Sequence, residues 1–465
     1  PFTFWLMVAV SCLVLLPFVV LCLYVAPNLE DYAESIIPEV LWHVKFLYLS
    51  YDGRFFTSFL FAAVNPLKSE NYILYQCLPL LLLAGLLFSF YQLSLSFISR
   101  SKKLAVLLSF LVLLVFLHKT PNLPYTLYYM ISTYVYTVPS IIFLLIVSSS
   151  YNLVLSKKNN AYKLGLISCG IFAVAGGNEL LLIPCLVWFI VLGFINKRMQ
   201  AKRSREISLF FFSIACSYFI VFTSPGVHEN IQTLSLMEEV KLLTKALHKS
   251  IVFTLTNMKG WVWGNYSLYI SSILFVVLVR AYNTSPHFKL SWFKSAVLVF
   301  ILFGSILFVA FPYTWSAKST ASASYSQVFI VPCLFFTLVW FFSLFLIVSK
   351  LSSLPWARKP WLITTLSILL GLSFFLDKTS NVYIAFQDLV NREAQGYHAE
   401  IKENISKSQD KNALLNDLNQ LELCELKHQP RSVYSGVYFR RELEHFHLEY
   451  RLYYKIKRIK VVPCS

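Results

Sequence analysis

The sequence predicts an all-α polytopic membrane protein of about eleven transmembrane helices, followed by a small extracytoplasmic α/β domain. Three observations carry that reading. Apolar residues make up 57% of the chain and charged residues 14%, well under the roughly 25% charged residues of soluble domains. Apolar runs close to a bilayer in length recur from the first residues to about Leu376. The excess of basic over acidic residues is confined to alternate connections between those runs.

The first run, 4–26, has no small-residue cleavage site after it and reads as a retained anchor. Ten more follow at 72–98, 104–118, 134–155, 163–176, 180–196, 207–223, 265–281, 294–311, 326–349 and 360–376. Those at 104–118, 163–176 and 360–376 are short and fit re-entrant or paired half-helices as well as full spans. Five connections, 99–103, 156–163, 196–206, 280–294 and 350–359, hold seventeen Lys/Arg and one acid, Glu206. They supply nearly all of the formal net charge of +17. The positive-inside rule makes them cytoplasmic, with the N-terminus on the same side and the C-terminus outside. Charge spread over short loops in this way argues against a nucleic-acid partner. Nothing basic precedes the first span, so a short segment before Pro1 is expected. The chain thus divides into a transmembrane unit, 1–376, with outer connections 27–71, 119–133, 224–264 and 312–325, and an extracytoplasmic unit, 377–465.

The outer connections hold the side chains with chemical potential. Glu30 and Asp31 follow directly on the first span, where charge close to lipid is costly and tends to mark function. Ile36, Ile37, Val40, Leu41, Val44 and Leu47 recur at helical spacing, which predicts an amphipathic helix on the membrane surface. Asp52-Gly53-Arg54 is a turn signal ending in a basic residue. Tyr125, Tyr128, Tyr129, Tyr134 and Tyr136 form either an interfacial aromatic belt or a surface for stacking sugars. Gly176-Gly177-Asn178-Glu179 breaks a helix near membrane depth, which makes Asn178 and Glu179 candidates for a water-filled cavity. Ser224-Pro225-Gly226-Val227-His228 opens the third outer loop, and Trp261 and Trp263 read as interface anchors.

In the tail, 381–423 favours helix, and the alternation after Ser432 favours strands. Seven of nine cysteines lie in spans as small packing residues. Cys424 and Cys464 share the tail, and in an oxidising compartment they are expected to form a disulfide. No P-loop, GxGxxG, Cys/His metal spacing or internal repeat occurs.

Taken in order, Leu29-Glu30-Asp31-Tyr32, Asp52-Gly53-Arg54-Phe55, Gly177-Asn178-Glu179, Ser224-Pro225-Gly226 and Tyr453-Tyr454-Lys455-Ile456-Lys457-Arg458-Ile459 resemble the GT-C superfamily. These are integral-membrane glycosyltransferases that use polyprenyl-phosphate sugars; within the superfamily the chain looks like a bacterial multi-pass family. Relatives often carry two aspartates where this chain has Glu30-Asp31, and Asn with a nearby Arg where it has Val227 and His228. The resemblance implies an inner-membrane enzyme with a periplasmic C-terminal domain. Its partners would be a polyprenyl-phosphate sugar donor, a glycan, lipid or protein acceptor, membrane lipids and other membrane subunits.

That chemistry assigns roles. An acceptor hydroxyl attacking the anomeric carbon needs a base, and Asp31 is the candidate, with Glu30 beside it. The departing lipid phosphate needs charge compensation, for which Arg54 is placed. Asn178, Glu179, Tyr134, Tyr136 and His228 would line the substrate cavity, with Glu179 orienting Arg54 or binding acceptor. Glu30 and Asp31 are also a donor pair for a divalent cation. Two other readings stay open. A flippase or secondary transporter would also use broken helices but would show symmetric halves; a scaffold subunit would have no need of Asp31.

Overall fold

The computed structural model describes residues 2–37, 39–50, 53–98, 101–156, 160–225, 236–282, 291–316, 326–351, 357, 359–409, 420–434, 448–454 and 458–463. His228, Asp52 and Cys464, singled out above, lie outside them.

The chain is an apolar helical bundle. Helix α1 (Phe2–Leu21) is followed by three short helices, α2 (Leu29–Ile36), α3 (Val40–Ser50) and α4 (Phe55–Ala63). Then come α5 (Tyr72–Phe97), α6 (Lys102–Lys119), α7 (Met130–Leu155), α8 (Ala161–Ala175), α9 (Leu182–Met199) and α10 (Ser204–Phe222). The membrane-embedded part ends with α11 (Leu236–Val262), α12 (Tyr266–Ala281), α13 (Trp292–Val309), α14 (Ile330–Val348) and α15 (Pro360–Leu376). Side-chain caps start many of these helices: Asn71 accepts from Leu74 N, Asn160 from Lys163 N and Asn265 from Leu268 N, each such cap contributing about 1 kcal/mol.

Among the described residues, seven stretches are long and apolar enough to cross a membrane: Phe2–Tyr24, Tyr72–Phe97, Met130–Leu155, Glu179–Met199, Ser204–Phe222, Trp292–Val309 and Gln327–Val348. Two bent pairs raise the number to nine: Lys241–Val262 with Tyr266–Ala281, bent by 72°, and Pro360–Leu376 with Asn381–Val390, bent by 63°. This is a membrane protein. Each predicted run falls on a helix, but two helices fall short of that measure. Helix α8 has only 15 residues. Helix α6 begins at Lys102 and Lys103 and ends at Lys119. Helix α6 is the centre of the bundle. It is buried almost continuously from Leu104 to His118 and is packed by α1, α5, α12 and α14, as a helix apolar on every face should be.

Two expectations are corrected. Residues 236–262, where Leu236, Val240, Leu243 and Leu247 recur on one face, form the long helix α11. Trp261 there is buried against Phe336, with ring centroids 5.4 Å apart, so it is a core residue rather than an anchor; Trp263 is 78% exposed. The amphipathic helix expected across 36–47 falls on two helices, α2 ending at Ile36 and α3 beginning at Val40. Helix α3 exposes Leu41 and a stacked Trp42–Phe46 pair, the pattern of a helix that lies in lipid.

The tail continues with α16 (Asn381–Val390), α17 (Glu393–Gln409), β1 (Gln420–Glu425), α18 (Leu448–Tyr454) and β2 (Arg458–Pro463). Strands β1 and β2 pair in parallel, Gln420 opposite Arg458 and Glu425 opposite Pro463. Residues 420–423 were expected as helix, but Leu421 and Leu423 alternate with Glu422, the period of a strand. Helix α18, in a stretch expected to be strand, packs on α2. Tyr32 is buried among the rings of Tyr450, Tyr453 and Tyr454, at centroid distances of 5.0, 4.9 and 5.8 Å. The last aromatic motif of the chain therefore closes over the first acidic one.

Candidate functional site

Helix α2 starts with a reciprocal cap. Asp31 N donates to Asn28 O at 3.1 Å, and Asp31 Oδ2 accepts from Asn28 N at 2.8 Å. The acid three residues into the helix thus returns to its first free donor. The same Oδ2 accepts from the Tyr75 hydroxyl at 2.5 Å, and Oδ1 accepts from Ile131 N at 3.3 Å. Asp31 is completely buried. Burial pushes its carboxyl up to about 7 against the opposing effect of these three donors, and the Glu30 charge adds to the rise.

Glu30 stays exposed and accepts from the Tyr129 hydroxyl. Tyr129 meets Tyr125 edge to face at 5.1 Å. Both tyrosines belong to an unusual stretch in which two π-helical turns, Pro124–Tyr128 and Thr133–Thr137, flank a short α-turn. Such turns concentrate at functional sites. Tyr134 and Tyr136 lie on the second turn and are buried. Tyr134 donates to Val64 O at 2.8 Å, which ties α7 to the end of α4. The tyrosines at 128, 129, 134 and 136 are packed inside and are not a belt facing lipid.

Arg54 caps the start of α4 and reaches across the chain to Glu179. Nε donates to Oε2 at 2.8 Å and Nη2 to Oε1 at 2.7 Å. This two-pronged pair fixes the plane of the guanidinium. The pair is not sealed: the Arg54 side chain keeps 24% of its surface exposed and Glu179 12%. The glycines on either side permit the approach. A Cβ at Gly53 would stand 2.2 Å from Val221 O, and one at Gly176 would stand 2.4 Å from the Phe55 ring. Phe56 N donates to Gly176 O at 2.9 Å, and Thr57 Oγ1 donates to Gly177 O at 2.9 Å. Asn178 accepts from Leu180 N and donates Nδ2 to Val135 O, both at 2.8 Å.

Glu30, Asp31, Arg54, Tyr134, Asn178 and Glu179 therefore come from four segments distant in sequence, and shared contacts join those segments into one connected region. Sequence reading missed Tyr75, whose signal was a second tyrosine in the first turn of the second span. It also missed the tie from α18 to Tyr32. For a metal the fit is poor: three N–H or O–H donors occupy the Asp31 oxygens, and no group of three or more His, Cys, Asp or Glu ligands occurs among the described residues. The expected Cys424–Cys464 disulfide falls outside the described residues; on the backbone, Cys424 pairs with Val462 in the β1–β2 ladder.

No family model matches this chain, and neither curated proteins nor solved structures give a match.

Proposed function

We propose that this membrane protein is a glycosyltransferase of the GT-C type, moving a sugar from a polyprenyl phosphate to an acceptor hydroxyl at the acidic end of its bundle. The observation that carries the reading is the joining of Asp31, a buried acid held near neutrality, to the partly open Arg54–Glu179 pair through one set of adjoining elements. A general base works best with a pKa close to the working pH. An arginine held flat by a carboxylate can present its remaining edge to a phosphate.

In the reaction the acceptor oxygen bonds to the anomeric carbon as the bond from that carbon to phosphate oxygen breaks. The leaving polyprenyl phosphate keeps the electron pair, and the configuration inverts. The acceptor proton passes to Asp31, through Oδ1, whose one contact at 3.3 Å is the longest of the three. Because Asp31 is buried, the short α-turn that carries Ile131 between the two π-turns must move to admit the acceptor. Arg54 offsets the phosphate charge, and Glu30, Tyr129 and Tyr134 border the acceptor.

The rest of the reading is proposed with it. The basic connections are cytoplasmic, eleven helices cross or enter the membrane, and 377–465 is a small periplasmic α/β domain of a bacterial inner-membrane protein. The 72° and 63° breaks favour a second reading, since transporters and flippases build their sites on discontinuous helices.

The test is lipid-linked or glycan product formed by cells complemented with variants of equal expression. Asp31→Asn should lower transfer by about 10²–10⁴-fold while the folded protein still binds polyprenyl phosphate. Normal product from that variant would remove Asp31 as the base. Movement of lipid between leaflets without any transfer would select the flippase.

A further inference from the structure

At the opposite end of the bundle a cavity of about 550 Å³ lies where α8 and α10 begin and α7 ends. Its lining divides into two halves. Arg203, Arg205 and Glu206 form the polar side, and Leu164, Leu209 and Phe212 the apolar side. The charges do not cancel. Arg203 is engaged within the fold: it donates Nη1 to Glu206 at 2.7 Å and Nη2 to Ser156 O at 3.0 Å. Arg205 is exposed and makes no hydrogen bond or ion pair among the described residues. The polar half therefore carries one cation in excess.

Depth decides what such a cavity can hold. Arg205 stands in the first turn of a membrane-spanning helix, Ser204–Phe222. Leu209 and Phe212 are one and two turns further in, about 6 and 10 Å along the axis at 1.5 Å per residue. Both turn outward, Phe212 with 65% of its surface exposed. A hydrated small anion gains nothing from that wall. A zwitterionic headgroup gains little from a lone excess cation. We propose that this cavity binds an anionic glycerophospholipid, its phosphate on Arg205 and an acyl chain along Leu209 and Phe212. Basic pockets between transmembrane helices hold such headgroups, each Lys or Arg near the surface contributing about 1 kcal/mol. The site is independent of the glycosyl-transfer reading, which concerns the other end of the molecule.

The whole protein, purified in detergent, would be mixed with equal amounts of phosphatidylglycerol and phosphatidylcholine and weighed by native mass spectrometry. The wild type should retain phosphatidylglycerol in preference. Arg205→Gln should lower that retention about fivefold, the loss of one cation, and Arg205→Lys should keep most of it. Phe212→Asn should weaken both lipids while preserving the preference. Lys103→Gln, in a different basic connection, should change nothing. Excess inorganic phosphate should leave the lipid bound; displacement would mark a free-anion site and overturn the lipid assignment. Equal retention of the two lipids, or the same preference in Arg205→Gln, would overturn the site. If Arg205→Gln did not fold, Arg205→Lys and Phe212→Asn would decide the matter alone.

Discussion

The two ends of the bundle handle charge in opposite ways. At the basic end, cations are plentiful and seldom answered by acids. Arg205 is exposed and makes no ion pair among the described residues, while Arg280 turns onto the carbonyls of Val348 and Leu351. At the acidic end, charge is sparse and several groups are tied down. Asp31 accepts three hydrogen bonds, Glu179 clamps Arg54, and Lys119 meets Asp377 at 2.8 Å while His118 meets Ser380 at 2.8 Å. The lesson is about information. Charge in excess acts by number and sets how the chain sits in a membrane. Tied charge acts by position and can do chemistry.

The comparison breaks first if orientation is wrong. Alkaline phosphatase fused after residue 465 should be active and green fluorescent protein dark there; the opposite result would put the acidic end in the cytoplasm. The loss of transfer in Asp31→Asn is the next largest effect.

Packing of the tail comes after it. Tyr32→Ala should destabilise the protein by about 3–5 kcal/mol, as for a large buried aromatic, and should loosen α18, seen as faster hydrogen exchange over Leu448–Tyr454. Unchanged exchange would mean that α18 is held by other contacts.

A pH series sharpens the contrast further. The Asp31 carboxyl is raised from 3.8 to about 7 in the folded protein. The native state therefore binds its proton more tightly than the unfolded chain does. The resulting stabilisation is complete below about pH 4 and is lost as pH rises to about 7, about 4 kcal/mol in all. Asp31→Asn should flatten that slope in a denaturation series run from pH 4 to 8, and an equal slope in both proteins would show that Asp31 is not the titrating group.

The smallest effects separate the two ends most directly. Glu179→Gln removes one partner of a partly screened pair and should cost about 1–2 kcal/mol. Lys103→Gln at the basic end should stay within about 0.5 kcal/mol. Equal losses would erase the distinction.

The sequence by itself determined the membrane character, the helical runs and the segregation of basic residues, because each depends on composition along a local stretch. It also located Glu30, Asp31, Arg54 and Glu179, since charge beside apolar runs is conspicuous. What it could not supply was partnership. That Arg54 meets Glu179, 125 positions away, and that Tyr75 donates to Asp31 depend on which helices lie side by side. The central place of α6 was equally hidden, since its lysine-bounded run looked short, and burial on all sides comes from its neighbours. The residues 448–454 alternate in a way that suits a strand, yet they fold as α18 because a helix lays three tyrosines against Tyr32. Such choices are decided by tertiary packing, which overrides local preference wherever a short segment has a large surface to bury.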